Sequence, residues 1–274
     1  MASHSGVRLR LVSQSMRCVQ LGFTYLEYID VVDAPRLERI FQWEITTHSL
    51  CAKKHSSRIK IGRAPNLRML GYLLPGEQDL GITNTVIAGS KENIVPSVQI
   101  LAIELHFGVR GAVKKVSGFL RGFPNLDTLH VQVKLSVRVS EKSTGKVNLK
   151  FWQEGGPIKC VVEGMKKVFH FYEFRGSKSE VAFLKFIAER GRVLEQMVVV
   201  VAIECFSSGD NVNAKLKPLA SAKWTSKTCK LQLFKTPLTA GGGPAYSHPL
   251  ASDFGCADPF DLKYYDKAER ISVS

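Results

Sequence analysis

The sequence predicts an α/β solenoid of short strands, closed at its C-terminal end by a strand-helix-strand cap. Three observations carry this. Four prolines recur at near-constant intervals, each sets the same aliphatic pattern behind it, and one well-capped helix lies between two strand-like runs further along.

Pro35, Pro65, Pro96 and Pro124 are separated by 30, 31 and 28 residues. Each opens a similar phrase: Ala34-Pro35-Arg-Leu37-Glu-Arg-Ile40, Ala64-Pro65-Asn-Leu67-Arg-Met-Leu70, Val95-Pro96-Ser-Val98-Gln-Ile-Leu101 and Phe123-Pro124-Asn-Leu126-Asp-Thr-Leu129. An aliphatic residue falls two and five places after every proline. In the last three copies an apolar residue also falls at the seventh place, as Tyr72, Ile103 and Val131. Proline fixes its own φ and has no N–H to donate, so it suits a turn leading into a strand. The second-place residue anchors that turn, and the five/seven alternation describes a short strand with one face inward. A unit of about 30 residues cannot bury such a face alone, so the copies are expected to stack. Leu26-Glu-Tyr-Ile29-Asp-Val31 and Arg58-Ile-Lys-Ile61 read as extra strands within or between copies, and repeat-like sequence is under way by Met16–Leu21.

After Gly155-Gly156-Pro157 the texture changes. Val168–Phe174 is rich in strand formers. Ser177 and Glu180 then make a capping box for a helix over 178–190. Val181, Leu184, Ile187 and Ala188 share one face of it, widened by Phe183 and Phe186, and Gly191 stops it. Leu194, Met197 and Val199 repeat the spacing of Leu126, Leu129 and Val131. Met165 and Val168 fit the first two of those positions 29 residues earlier. The helix is expected to pack against the strands around Val168 and Met197. The last segment, 236–274, is rich in Gly, Pro and Ser, and its composition predicts weak order.

The stretch from Pro157-Ile-Lys-Cys160 to Val201, with GMKKVFHFYEFRGSKSEVAFLKFIAERGRVLEQMVVVV at its centre, resembles the FBD domain of plant F-box proteins. In that family the domain follows degenerate leucine-rich repeats, the order seen here. Cys229-Lys-Leu-Gln-Leu-Phe234 and Ala257-Asp-Pro-Phe-Asp-Leu262 are similar to family members as well. The repeats depart from the usual leucine-rich pattern in one respect: the Asn/Cys position after the strand is not recognisable. The resemblance implies degenerate leucine-rich repeats over 1–156, an FBD domain with a flanking repeat-like unit over 157–235, and a tail over 236–274. It also implies the recognition part of a Skp–cullin–F-box ubiquitin ligase receptor. No segment reads as the F-box itself, so a Skp-type adaptor is not an expected partner of these residues.

The chain has 38 Lys plus Arg against 24 Asp plus Glu, a formal net charge of +14. Residues 1–156 carry +9, residues 157–235 carry +7 and residues 236–274 carry −2, with no basic block longer than a dyad. Charge this dispersed describes a solvated surface better than a nucleic-acid arm. The longest apolar run, Met197–Ile203, is far short of a membrane span, and no secretory leader is visible. Six cysteines stand singly with no C-x-x-C pair, which suits free thiols in a reducing compartment, cytoplasmic or nuclear.

No constellation of catalytic residues stands out. Asp253-Phe254-Gly255 spells a kinase metal-binding tripeptide without the accompanying loops. Gly241-Gly-Gly243-Pro244 lacks the spacing of a phosphate cradle. His170 and Glu173, three apart in a strand, point to opposite faces and cannot share a metal. The expectation is a non-catalytic protein-interaction scaffold with no cofactor, no metal and no membrane partner. Its protein target and contact residues are unknown, although Phe254 and Phe260 are candidates for a docking element. Two alternatives stand beside it: a basic nucleic-acid-binding protein, motivated by +14, and a non-functional truncated paralogue.

Overall fold

The computed structural model describes residues 7–22, 26–43, 57–75, 78–82, 94–134, 147–206, 209–235, 248–264 and 268–271. Seven strands come first: β1 (Val7–Val12), β2 (Cys18–Gly22), β3 (Leu26–Asp33), β4 (Arg39–Trp43), β5 (Ser57–Arg63), β6 (Met69–Leu73) and β7 (Gln78–Ile82). Strands and helices then alternate: β8 (Ile100–Leu105), α1 (Arg110–Arg121), β9 (Thr128–Val133), α2 (Leu149–Glu154), β10 (Val168–Phe174), α3 (Lys178–Arg190), β11 (Gln196–Val201), α4 (Gly209–Ala220) and β12 (Lys230–Lys235). The described chain ends on α5 (His248–Ser252) and β13 (Glu269–Ile271). Among the described residues no helix is long and apolar enough to cross a membrane.

The strands form two sheets. One holds β1-β3-β5-β7, and the other holds nine strands in the order β13-β12-β11-β10-β9-β8-β6-β4-β2. Every pairing is parallel except β12 with β13. The two sequence-predicted extra strands are β3 and β5, and they belong to the smaller sheet.

Each proline occupies the second position of a tight turn, where its fixed φ is already correct. Leu37 N–H donates to Ala34 O at 3.0 Å, Leu67 N–H to Ala64 O at 3.2 Å and Val98 N–H to Val95 O at 3.4 Å. The second-place residues Leu37, Leu67, Val98 and Leu126 are fully buried beneath these turns. A second device joins one copy to the next. The N–H groups of Glu38 and Arg39 both donate to Arg17 O, those of Arg68 and Met69 to Glu38 O, those of Gln99 and Ile100 to Arg68 O, and those of Asp127 and Thr128 to Gln99 O, all at 2.8–3.1 Å. The same corner continues as Lys167 to Asp127, Gln196 to Lys167 and Lys230 to Glu195. The ladder therefore runs unbroken through residue 156, where composition alone suggests a boundary.

Inward-facing residues align in rows across the nine-stranded sheet. Val19, Ile40, Leu70, Leu101, Leu129, Phe169, Met197 and Leu231 are one row. These residues face one continuous core, shared with Ile29, Val31, Ile59 and Ile61 of the smaller sheet and with the buried faces of α1, α3 and α4. Helix α3 has the predicted bounds. Ser177 Oγ accepts Glu180 N–H at 3.2 Å, and Glu180 reaches back to accept the N–H groups of Arg175 and Gly176 at 2.8 and 3.0 Å. Gly191 ends the helix with an extended backbone (φ −72°), not a left-handed one. A Cβ there would lie 3.0 Å from Ile187 O, so close approach is the reason for glycine.

Five expectations are corrected. Tyr72 does not face the core: between Leu70 and Leu73 the register of β6 on β8 gains a residue, so Leu73 pairs with Ile103 and Tyr72 turns to the opposite face. Phe169, not Val168, aligns with Leu129 and Met197, because the interval from Met165 into β10 is one residue longer than elsewhere. Val181 is only half-buried at the rim of α3, and Ala182 and Ser179 are covered instead. The strand-helix-strand unit β10-α3-β11 does not cap the ladder; β12 pairs on β11, and β13 closes the edge beyond it. Finally, residues 248–264 and 268–271 are packed against the sheet rather than weakly ordered, because their apolar side chains find a face their composition cannot reveal. Residues 236–247, including the Gly241–Pro244 run, lie outside the described residues.

Candidate functional site

The alternation that points the fifth- and seventh-place residues inward points the fourth- and sixth-place residues outward. Two rows result on the other face of the nine-stranded sheet. Cys18, Arg39, Met69, Ile100, Thr128, Val168, Gln196 and Lys230 form one; Gln20, Phe41 and Gly71, then Ala102, His130, His170, Val198 and Gln232, form the other. This face is not solvent-exposed in its middle. The segment 248–264 lies across it as a strap, from β2 at one end to β11 near the other, and β13 then pairs with β12.

The strap is held at four places. At β2, Gln20 Nε2 donates to His248 O at 3.1 Å and to Ser252 Oγ, while Gln20 Oε1 meets His248 Nδ1 at 3.1 Å. At β4, the buried Arg39 guanidinium donates to the main-chain oxygens of Ala251 (3.0 Å), Asp253 (2.9 Å) and Cys256 (2.7 Å). Arg17 lies 3.6 Å above the Phe254 ring, with Arg39 on the same ring at 4.8 Å, a cation–π arrangement. Between β4, β6 and β9 the Phe260 ring is fully buried against Phe41, Tyr72 and His130, with centroids 5.4, 5.3 and 5.1 Å away. Gly71 forms the floor of that pocket: a Cβ there would come within 3.1 Å of Phe260 Cζ and 2.6 Å of Ala102 Cβ. At β10, Tyr172 Oη donates to Phe260 O at 2.6 Å.

One charged contact completes the set. Asp258 Oδ2 lies 2.9 Å from His130 Nε2, and its Oδ1 accepts the Phe260 N–H at 3.0 Å. Burial pushes the Asp258 carboxyl upward, but the nearby His130 and its hydrogen bond, with His170 and the Phe260 N–H, outweigh burial and hold it below the ordinary aspartate range. His170 stacks on His130 at 4.4 Å. Burial, reinforced by His130, holds the His170 ring well below the ordinary histidine range, with Asp258 opposing. The imidazole is therefore neutral at pH 7, as a ring in an apolar stack should be.

His170 and Glu173 make separate contacts: His170 joins the stack, while Glu173, at φ 60° where the register of β10 on β11 shifts, pairs with Arg175 at 2.8 Å. Asp253 Oδ1 accepts the Gly255 N–H at 2.8 Å, an Asx turn, and Phe254 serves Arg17 and Arg39. Among the described residues no group of three or more His, Cys, Asp or Glu is placed to hold a metal ion. Burial pushes the thiols of Cys160 and Cys229 up to about 12 and about 11, so neither is an activated nucleophile. Sequence reasoning missed Arg39, His130, Tyr172 and Gln20. A signal was there: Phe41, Met69, Ile100 and Ala102 occupy the outward places after three prolines, and so many apolar residues on an outward face require a cover.

The comparisons agree with this architecture. Residues 1–131 match the family described as FBD-associated F-box protein At5g56370, LRR repeats, and residues 153–199 match FBD. No curated protein and no solved structure matches the chain. The repeat match ends within β9 and the FBD match spans β10, α3 and most of β11, so one continuous sheet carries both. The chain thus carries FBD-associated F-box protein LRR repeats followed by an FBD domain.

Proposed function

We propose that the chain is a non-catalytic protein-interaction scaffold: a leucine-rich-repeat solenoid whose strand ladder presents one broad face for recognising a protein. The observation that carries the reading is the outward face of the nine-stranded sheet, where aromatic, histidine and arginine side chains from successive copies converge on an irregular peptide segment. Such faces, with Tyr and Arg at buried centres, are where binding energy concentrates in protein–protein contacts. The matches to FBD-associated F-box protein LRR repeats and to FBD support reading this scaffold as similar to the substrate-recognition part of a Skp–cullin–F-box ubiquitin ligase receptor. Neither matched region is the F-box, so these 274 residues are not expected to hold a Skp-type adaptor by themselves. The role needs no cofactor and no membrane, and free thiols suit the cytoplasm or nucleus.

The test is affinity capture with the full chain, followed by reciprocal capture from the identified protein. A defined partner, recovered in both directions and lost on substitution of outward-face residues, supports the reading. A partner set no different from that of an unrelated basic protein of equal charge removes it. Nucleic acid is not an expected ligand: retention on duplex DNA at about 50 mM salt, falling steeply as salt rises, would turn the reading towards that class.

A further inference from the structure

The scaffold reading leaves the partner's chemistry open, and the strap supplies it. Nearly every anchor on the face engages something a different polypeptide could offer equally well. Gln20, Arg39 and Tyr172 bind main-chain oxygens, which any peptide carries. Contacts to strap side chains are fewer: Gln20 also meets Ser252 Oγ and His248 Nδ1, Arg17 and Arg39 hold the Phe254 ring, and two more lie over the middle of the sheet. His130 meets a carboxylate, and two residues later the pocket of Phe41, Tyr72, His130 and Gly71 takes an aromatic ring. Position 259 between them is a proline, whose fixed φ favours this bend.

The strap also has the character of a bound ligand rather than of a core element. Its apolar residues Ala251, Phe260 and Leu262 belong to two small clusters separated from the main core by the sheet itself. Ser252, Asp253, Gly255 and Ala257 are exposed between the anchored residues, so the segment touches the face at intervals. It crosses the strands instead of pairing with them along 248–264, held mostly by side chains of the ladder. Without it, two apolar patches would be uncovered, one of Phe41, Met69, Tyr72 and Ala102 and the other of Val198 and Val200, with the histidine stack between them.

We propose that this face is a binding site for a peptide bearing Asp-x-Phe in a protein partner, and that residues 248–264 fill it as a displaceable intramolecular ligand. This rests on the scaffold reading and names its recognition element. An intramolecular occupant acts at high effective concentration, so a partner peptide must compete with it, and the apparent affinity of the intact chain is lowered by the fraction of time the face is closed.

The experiment uses a fluorescein-labelled synthetic peptide with the sequence of residues 248–264 and two full-length proteins. One is the unaltered chain; the other carries Asp258→Asn with Phe260→Ala, which removes the carboxylate and the ring from the middle of the strap and leaves every residue of the face unchanged. In fluorescence anisotropy the altered chain is expected to bind the peptide at least about tenfold more tightly than the unaltered chain. A peptide carrying the same two substitutions is expected to lose at least about tenfold against the unsubstituted one. Absence of binding to the altered chain, equal binding by both proteins, or equal binding of both peptides overturns the proposal. Hydrogen exchange on the unaltered chain needs no variant: excess peptide should deprotect the strap amides of 248–264, and unchanged protection likewise overturns it. A partner captured through another surface would sink this site while leaving the scaffold standing. Peptide binding with no partner in reciprocal capture would do the reverse.

Discussion

The two halves of the nine-stranded sheet are backed differently. Behind β2, β4 and β6 lies a second parallel sheet, whereas behind β8 to β12 the core is closed by helices. The front ladder does not register the change: the same corner hydrogen bonds run from Arg17 to Lys230. Nor does repeat length decide which backing forms. The 28-residue interval from Gln99 to Asp127 holds the twelve-residue helix α1, while the longer interval from Glu38 to Arg68 holds a strand. What differs is periodicity. Ile29-x-Val31 and Ile59-x-Ile61 alternate with period two, whereas Val113, Val116 and Leu120 recur at helical spacing. The corner sets the stack, and the local pattern chooses what closes it.

The hardest way to break that comparison is to place a charge in each backing layer. Leu184 of α3 and Ile61 of β5 are both buried in the shared core. An aspartate at either site loses the transfer energy of the aliphatic group and buries an unpaired carboxylate, a cost of about 5 kcal/mol or more. In a stack whose units touch mainly their neighbours, damage should stay on its own side. Leu184→Asp is expected to abolish the cooperative thermal transition and the amide protection of β8–β12. Ile61→Asp should strip protection from β3–β6 while β10 and α3 stay slow to exchange. Uniform loss in both variants would show one indivisible unit and void the distinction between halves.

What was legible in the sequence follows the same division. Corners were readable because proline, a buried aliphatic and a fixed interval are all local. Strands β3 and β5 and the bounds of α3 were readable for the same reason. Helix α1 was periodic enough to be found, yet it has no N-cap side chain to announce it. The bulge that turns Tyr72 outward has no local mark beyond Gly71. The strap was unreadable in kind: Phe260 is ordered by Phe41 and Tyr72, far away in the sequence, and no composition of 236–274 contains that information. The candidate site thus emerged from register, as the outward complement of an alternation already visible.

A milder perturbation sharpens the contrast between the core side of the sheet and its strap side, because among the described residues the strap side is where buried histidines stack. His170 is held neutral in the fold, well below its ordinary range. Below about pH 6.5 the unfolded chain takes up a proton there that the folded chain refuses, so stability falls as pH falls, by up to about 1.4 kcal/mol per pH unit for one proton. Asp258 adds loss in the same direction in a lower window, below about pH 3.9, because its folded carboxyl is shifted downward. Thermal unfolding between pH 7.5 and 5.0 should therefore show a falling midpoint. His170→Phe, which keeps a ring in the stack, should flatten that slope. An unchanged slope would place the acid sensitivity elsewhere.

The smallest effect probes the corners that both halves share. Asn66 and Asn125 each follow a corner proline, and each donates its side-chain N–H to the proline carbonyl of the preceding copy: Asn66 Nδ2 to Pro35 O at 2.7 Å, Asn125 Nδ2 to Pro96 O at 2.9 Å. The first and third copies carry Arg36 and Ser97 at that place, so the amide is an intermittent tie laid over the continuous main-chain ladder. Both amides are exposed, and water can replace the lost bond on substitution, so Asn→Ala should cost only about 0.5–1.5 kcal/mol at either site. The two ties share no partner, and the double variant should equal the sum of the singles within about 0.5 kcal/mol. Chemical denaturation of the three variants measures this directly. A double variant markedly worse than the sum would mean that the side-chain ties, rather than the main-chain corner, hold consecutive copies in register.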